Sequence, residues 1–140
     1  MRRIPDYPLW LGNARDVQDR HLLFREGVTA AVDLAVEEMP VVPGHEIVYA
    51  RFPIVDGTEN PPWLLRAAVD LTATLLRENV PTLVACGAGL SRSPAIAAAA
   101  LAKLGRGSLE ESLTYLASFG QCDVSAGLLH DLSRAISGGK

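Results

Sequence analysis

Residues 81–105, PTLVACGAGLSRSPAIAAAALAKLG, decide the fold. The short apolar run over residues 81–85 predicts a buried strand. The alanine-rich run over residues 95–104 is apolar nearly all round, which predicts a buried helix opened by Ser93 and Pro94. Small residues join the two runs, so we expect a tight loop between the end of a strand and the start of a helix. A strand that passes directly into a helix is typical of an α/β domain.

The rest of the chain repeats this alternation. Further strands are predicted over residues 9–11, 28–35 and 46–52, and further helices over residues 14–27, 61–79, 108–119 and 125–136. The strand over residues 28–35 is almost entirely apolar, so we expect it at the centre of the sheet. The pattern predicts a central, mostly parallel sheet of about four or five strands, with helices on both faces.

Local signals place several of these boundaries. Pro43 and Gly44 predict an interruption of the secondary structure. Asn60 is a predicted helix cap, with Pro61 as the first helical residue, and Ser108 and Glu111 form a capping-box pattern. We therefore expect a loop over residues 53–60, between the third strand and its following helix.

Composition limits the class of protein. The chain has 140 residues, of which 49% are hydrophobic and 21% charged, so it can bury a core, and we expect one domain over residues 1–140. The formal net charge of -3 argues against nucleic-acid binding and against an anionic membrane surface. Two cysteines, Cys86 and Cys122, are too few for a disulfide framework and fit a reducing compartment. No apolar stretch reaches the length of a signal peptide or a membrane span, so we expect a cytoplasmic protein without membrane partners.

The loop after the strand at residues 81–85 carries the chemistry. Cys86 and Arg92 are separated by five residues, Gly87, Ala88, Gly89, Leu90 and Ser91. A loop of such small residues can turn its backbone N–H groups inward and cradle an oxyanion such as phosphate. The Arg92 guanidinium can hold two phosphate oxygens. The same N–H groups, the helix dipole and Arg92 favour a thiolate at Cys86, which would then be a nucleophile.

A thiolate that attacks a phosphate monoester needs a general acid for the leaving oxygen. Asp56 is the first acid after the predicted strand over residues 46–52 and stands beside Gly57, which allows movement. Glu59 is the rival acid, and Asp56 can also be an ordinary turn residue. Ser93 can donate a hydrogen bond to the departing sulfur, serve as the helix N-cap, or do both.

Residues 86–96 closely resemble the signature loop of the dual-specificity subgroup of cysteine-dependent protein tyrosine phosphatases. Segments along nearly the whole chain resemble the same subgroup, namely Leu11, Gly12 and Ala14, then Val32, Asp33 and Leu34, then Pro53 and Asp56. The resemblance implies a protein tyrosine phosphatase-like fold in a small single-domain form. It implies Cys86 as nucleophile, Arg92 as phosphate and transition-state clamp, Asp56 as general acid and base, and Ser93 as a helper in hydrolysis.

One position departs from this family. The residue before the nucleophile is usually histidine, which helps to order the loop, and here it is Ala85. From this departure we expect weaker activity or a higher pH optimum, and the sequence does not decide whether His21, His45 or His130 folds back towards the loop.

The sequence therefore predicts a phosphomonoester hydrolase that acts through a cysteinyl-phosphate intermediate, without metal or cofactor, on a phosphorylated protein or a small phosphomonoester. The resemblance implies a protein tyrosine/serine/threonine phosphatase. The alternative is a weak or inactive phosphate-binding module of the same fold, and a third class is a sulfur-transfer or arsenate-reducing enzyme. The loop has no lysine, which speaks against a highly charged phosphoinositide or polyphosphate. We expect Cys122 to be a small buried residue rather than a redox partner, and Asp33 to be a hydrogen-bonded structural carboxylate.

Overall fold

A computed structural model describes residues 1–40 and 46–137 of the chain. The strands in this part are β1 (Arg2–Ile4), β2 (Leu9–Asn13), β3 (Ala30–Ala35), β4 (Val48–Ile54) and β5 (Thr82–Cys86). The helices are α1 (Ala14–Gln18), α2 (Arg20–Glu26), α3 (Pro62–Arg77), α4 (Arg92–Lys103), α5 (Leu109–Ala117) and α6 (Ala126–Ser137). The interruption of secondary structure predicted at Pro43 and Gly44 lies outside the described residues.

The strands form one sheet in the order β1-β2-β5-β3-β4. All neighbours are parallel except β1, which pairs antiparallel with β2. The predicted fold class, a mostly parallel sheet of four or five strands with helices, is confirmed. Strand β3 lies between β5 and β4 and is buried throughout, as predicted for residues 28–35, while β5 takes the middle place of the five. Strand β1 was not predicted, because its three residues are too short to show a pattern.

Alternating side chains of the central strands enter two different cores. Val84 and Cys86 of β5 face the larger core, with α3, α4, α5 and α6. Leu83 and Ala85 face a smaller core on the opposite side of the sheet, together with Val17 of α1 and Leu23 of α2. Cys86 and Ala85 therefore lie on opposite faces of the sheet, and helices cover both faces as predicted.

The single helix predicted over residues 14–27 is two helices. Asp19 has an extended backbone, with φ -92° and ψ 90°, so it ends α1 and begins α2. Its side chain accepts a hydrogen bond from the N–H of Leu22 at 3.0 Å, which satisfies the first turn of α2. The apolar spacing continues across this break, which is why the pattern alone predicted one helix.

The predicted start of the next helix was also wrong. Helix α3 begins at Pro62, and its N-cap is Pro61. The Asn60 side chain instead donates to the carbonyl of Val55 and accepts from the N–H of Val55, both at 2.8 Å. Asn60 thus closes the loop before the helix rather than capping the helix.

Strand β4 begins and ends two residues later than predicted, since it includes Pro53 and Ile54. A proline has no N–H to pair, and an edge strand accommodates it because one side of the strand has no neighbour.

The predicted capping box was correct: the N–H of Glu111 donates to Ser108 Oγ, and the N–H of Ser108 donates to the Glu111 carboxylate. No helix in the described part of the chain is both long and apolar enough to cross a membrane.

Candidate active site

The carboxyl ends of β3, β4 and β5 meet around one small cavity of about 190 Å³. Its lining residues are Asp56, Cys86, Ala88, Leu90, Ser91, Arg92 and Asp123. Ligands of open α/β sheets bind beyond the carboxyl ends of the strands, so this cavity lies where such a fold binds its ligand. It brings together Cys86, Arg92 and Asp56, three of the four predicted catalytic residues.

Cys86 is the last residue of β5, and its side chain is buried. The backbone N–H of Ser93 donates to Cys86 Sγ at 3.4 Å, and Ser93 Oγ lies 3.4 Å from the same sulfur. Ser93 lies in the first turn of α4 and is fully buried. It is not the N-cap, because the cap position is Ser91, so the N-cap expected at Ser93 was wrong. Its position fits the predicted contact with the sulfur.

The loop between β5 and α4 is anchored through its carbonyl groups. Gly87 O accepts from the N–H of Ala14 at 3.4 Å, and Leu90 O accepts from the N–H of Asp123 at 2.7 Å. Within the described residues, no N–H group over residues 88–91 donates to a protein acceptor. These donors remain free to bind an anion, as a cradle requires.

Gly89 has a specific role in this loop. Its φ is +79°, in the left-handed region, and a Cβ at this position would lie 2.9 Å from the carbonyl oxygen of Gly12. A side chain would therefore be strained and would push the loop away from β2.

Arg92 is held by four acceptors. Its Nη1 donates to Glu37 Oε1 at 2.7 Å and to the carbonyls of Ile54 at 3.0 Å and Leu34 at 3.4 Å, while its Nη2 donates to Glu37 Oε2 at 2.6 Å. None of these bonds uses Nε, so the Nε–H and the second Nη2 hydrogen remain for a ligand. The side chain is 8% exposed, which fixes its orientation.

The Glu37–Arg92 pair shifts both pKa values. The hydrogen bond from Arg92 lowers the pKa of Glu37 from 4.5 to about 2, although partial burial opposes the shift. The same hydrogen bond raises the pKa of Arg92, and the nearby Cys86 and Asp56 add to this effect. Arg92 therefore remains charged whether or not the cavity holds an anion.

Asp56 is held at the cavity by Ser91. Ser91 Oγ donates to Asp56 Oδ1 at 2.7 Å and accepts from the N–H of Ser125 at 3.0 Å. The rival acid Glu59 lies elsewhere, beside a second cavity between α3 and α6. The geometry favours Asp56 as the acid that reaches a ligand above Cys86.

Three residues of this site were not found from the sequence. Glu37 follows the end of β3, and its position beyond a parallel strand was the available signal. Asp123 and Ser125 lie between α5 and α6, in a segment that carries no motif. Only the folded chain shows that this segment returns to the loop that follows Cys86.

The remaining polar candidates lie outside the cavity. Asp33 is buried and accepts from Tyr49 Oη and from the N–H of Ala35, which confirms the expected structural carboxylate. Cys122 is only half-buried, and burial raises the pKa of its thiol despite the Arg2 guanidinium 3.4 Å away.

Neither of the two described histidines replaces the residue usual at position 85. His21 and His130 are exposed and do not line the cavity, and His45 lies outside the described residues. In the described part of the chain, no group of three or more His, Cys, Asp or Glu side chains is arranged to hold a metal ion.

This chain is similar to known proteins in structure rather than in sequence. No protein-family model matches the sequence, and no curated protein matches it. Human DUSP28 superimposes with a TM-score of 0.84 at 23% identity, covering 100% of both chains. The chain has the fold of the dual-specificity phosphatases of the protein tyrosine phosphatase superfamily.

Two further solved structures share this fold, and their names describe different kinds of protein. The human tyrosine phosphatase-like serine/threonine/tyrosine-interacting protein has a TM-score of 0.78 at 19% identity, covering 99% of this chain and 97% of its own. PTPMT1, in complex with PI(5)P, has a TM-score of 0.73 at 19% identity, covering 93% of this chain and 90% of its own. Identities this low establish the dual-specificity phosphatase fold and leave the chemistry to be argued from the site.

Proposed function

We propose that this chain is a cysteine-dependent phosphatase catalytic domain of the dual-specificity type, which hydrolyses phosphate monoesters through a cysteinyl-phosphate intermediate. The observation that carries this proposal is the position of Cys86 Sγ below a loop whose N–H groups over residues 88–91 are free to bind an anion. Phosphate monoesters fit such a cradle because three of their oxygens can accept hydrogen bonds together.

In the first step the Cys86 thiolate attacks phosphorus. The S–P bond forms as the ester P–O bond breaks, and protonated Asp56 gives its proton to the leaving oxygen. Arg92 holds two phosphoryl oxygens through its Nε and Nη2 hydrogens and stabilises the charge that develops on them. The hydrogen bond from Ser91 keeps the Asp56 carboxyl group at the mouth of the cavity.

In the second step water hydrolyses the intermediate. The Asp56 carboxylate takes a proton from water, whose oxygen attacks phosphorus while the S–P bond breaks. The products are inorganic phosphate and the Cys86 thiolate. Ser93 stabilises this departing thiolate from 3.4 Å through its N–H and hydroxyl groups.

The position of Asp56 also favours a phosphatase over sulfur transfer or arsenate reduction. Those reactions do not need an acid for an alkoxide or phenoxide leaving group, whereas an ester hydrolase does. Asp56 lines the same cavity as Cys86 and Arg92, as leaving-group protonation requires.

The second candidate is a module that binds phosphate without turning it over. Two observations favour it: Ala85 stands where the family usually has histidine, and one neighbour of this fold is named only as phosphatase-like. A phosphoinositide, the ligand of PTPMT1, is the less favoured substrate here because no lysine of the described residues lines the cavity.

Hydrolysis of para-nitrophenyl phosphate tests this proposal. We expect measurable turnover by the native chain, none by Cys86→Ser, and unchanged turnover by Cys122→Ser, since Cys122 does not line the cavity. Absence of turnover by the native chain together with binding of inorganic phosphate would favour the binding module. Equal turnover by Cys86→Ser would contradict the proposal.

A further inference from the structure

Negative charge dominates the mouth of the candidate active site. Among the described residues that line the cavity, the only cation is Arg92, and the carboxylates are Asp56 and Asp123. The charge of Arg92 is already matched by Glu37, which pairs with it through two hydrogen bonds. The cradle can hold one phosphoryl group, and within the described part of the chain the lining of this cavity has no second cation for another phosphate.

Asp123 is the carboxylate best placed to meet the rest of a substrate. Its backbone N–H donates to Leu90 O at 2.7 Å, so its position relative to the loop is fixed. Its side chain is exposed, and no hydrogen bond or ion pair in the described part of the chain engages the carboxylate. An ordered carboxylate without a partner at the edge of a cavity can pair with a cation on a bound molecule.

Three arginines lie near this rim. Arg2 is half-buried, and its Nη2 donates to Gln121 O at 2.8 Å and lies 3.4 Å from Cys122 Sγ, so it lines the neighbouring cavity rather than this one. Arg51 is half-buried, and its Nη2 donates to the carbonyls of Ala35, Val36 and Glu38, so it supports the segment that carries Glu37. Arg15 is exposed on α1 and is not among the residues that line the cavity.

The cavity is also small. Its volume of about 190 Å³ is below the usual range for a pocket that encloses a whole ligand. It can enclose the phosphoryl group and the atoms next to it, and the neighbouring groups of the substrate must then lie outside, against the acidic rim.

We propose that the substrate is a phosphorylated protein segment with a lysine or arginine next to the phosphorylated residue, and that Asp123 selects it by pairing with that cation. This inference rests on the proposed phosphatase function and adds the class of substrate. Substrates that carry a second phosphate or acidic flanking residues are repelled by Asp123.

Three phosphopeptides of one sequence, with lysine, alanine or glutamate on both sides of the phosphorylated residue, test the proposal. We expect kcat/KM to fall from lysine to alanine to glutamate, by about fivefold or more overall, since exposed ion pairs have effects of this size. The preference should shrink at about 1 M salt, where charges are screened beyond about 3 Å.

Variants at Asp123 test its effect on substrate preference separately from the effect of the catalytic residues on turnover. Asp123→Asn should bring the lysine-to-glutamate ratio of kcat/KM close to one, and Asp123→Lys should reverse it. Glu110→Gln, which removes one exposed carboxylate from the first turn of α5, is the matched control and should leave the ratio unchanged.

The outcomes distinguish this inference from the function on which it rests. Turnover of para-nitrophenyl phosphate with equal turnover of all three peptides would overturn the inference and leave the phosphatase proposal standing. Faster hydrolysis of an inositol polyphosphate than of the lysine peptide would also overturn it. Failure to hydrolyse any of these compounds would count against the phosphatase function itself.

Discussion

Glu37 and Arg92 form a two-point ion pair at the carboxyl ends of β3 and β5, with N–O distances of 2.7 and 2.6 Å. The pair uses the Nη1 and Nη2 end of the guanidinium, so the Nε side faces the remaining space. Glu37 also lies against Gly87, where a Cβ would be 2.3 Å from Glu37 Oε2. The carboxylate therefore sets the orientation in which Arg92 meets a phosphate.

Replacing Glu37 should weaken catalysis without removing the nucleophile. Charge-assisted hydrogen bonds contribute about 1.5–3 kcal/mol, so Glu37→Gln should lower kcat/KM for para-nitrophenyl phosphate by about ten- to a hundredfold. Glu38→Gln is the matched control, because its side chain makes no bond to Arg92 in the described structure, and it should stay within about twofold of the native chain. Equal effects of the two variants would show that the ion pair does not position Arg92.

The same pair should stabilise the fold in a pH-dependent way. The pKa of Glu37 is lowered from 4.5 to about 2, chiefly by its hydrogen bond with Arg92, so the charged form is favoured in the folded state. A lowered carboxyl pKa contributes stability above the unfolded value, and this stability is lost as pH falls through the folded value. The difference in free energy of unfolding between the native chain and Glu37→Gln should be constant from pH 7 to about pH 5.5. It should then decline and vanish below about pH 2. Urea unfolding across this range measures it, and a difference independent of pH would contradict the pairing.

Asp56 should affect both steps of turnover. Asp56→Asn should slow hydrolysis of an alkyl phosphate by about 10²- to 10⁴-fold, the usual contribution of a general acid. It should also remove the decline in rate at high pH that deprotonation of such an acid causes. Glu59→Gln tests the rival acid and should leave the rate and the pH profile unchanged. A larger loss in Glu59→Gln than in Asp56→Asn would reverse the assignment.

Ser93 should matter mainly for release of the sulfur. Ser93→Ala removes the hydroxyl group that lies 3.4 Å from Cys86 Sγ and keeps the backbone N–H. The expected result is an initial burst of nitrophenol followed by a steady rate lowered about fivefold, since one hydrogen bond contributes about 1 kcal/mol. Stopped-flow absorbance measures both phases, and a slower burst with no change in the steady rate would place Ser93 in the first step instead.

Alanine substitutions at Gly89 and Gly27 distinguish the effect of backbone strain from the effect of a steric clash. Both have positive φ, +79° and +77°, but only a Cβ at Gly89 would meet another atom within 4 Å. Gly27→Ala should therefore cost about 1–2 kcal/mol of stability and leave activity intact. Gly89→Ala should cost more and also abolish turnover, because the loop must move away from Gly12. Thermal unfolding and the phosphatase assay distinguish the two, and full activity in Gly89→Ala would contradict the role of loop geometry.

Much of the fold followed from local sequence patterns. The apolar runs of β3 and β5 and the capping box at Ser108 are local, and each was predicted close to its observed place. Other features depend on tertiary contacts: Asp19 divides one apolar pattern into two helices, and β1 is too short to show an alternation. Asn60 resembles a helix cap in sequence, yet it bonds to Val55 across the loop.

The residues of the candidate site also divide into those that local sequence predicts and those that depend on tertiary contacts. Cys86, Arg92 and Ser93 lie within eight consecutive residues, so their spacing, the small residues between them and the change from strand to helix identified them. Asp56 followed from its place after a strand. Glu37, Asp123 and Ser125 reach the loop only through the sheet order and the return of the chain before α6, which local spacing does not encode.

The most direct test of the account is the detection of a phosphoryl group on Cys86. The native chain, mixed with phosphate ester and quenched in acid within milliseconds, should yield a peptide containing Cys86 with the added mass of one phosphoryl group. Asp56→Asn should accumulate more of this peptide with an aryl ester, whose leaving group needs little protonation, because hydrolysis of the intermediate is slowed. Turnover of the ester with no phosphorylated Cys86 under any quench time, or with the label on another residue, would contradict the central claim.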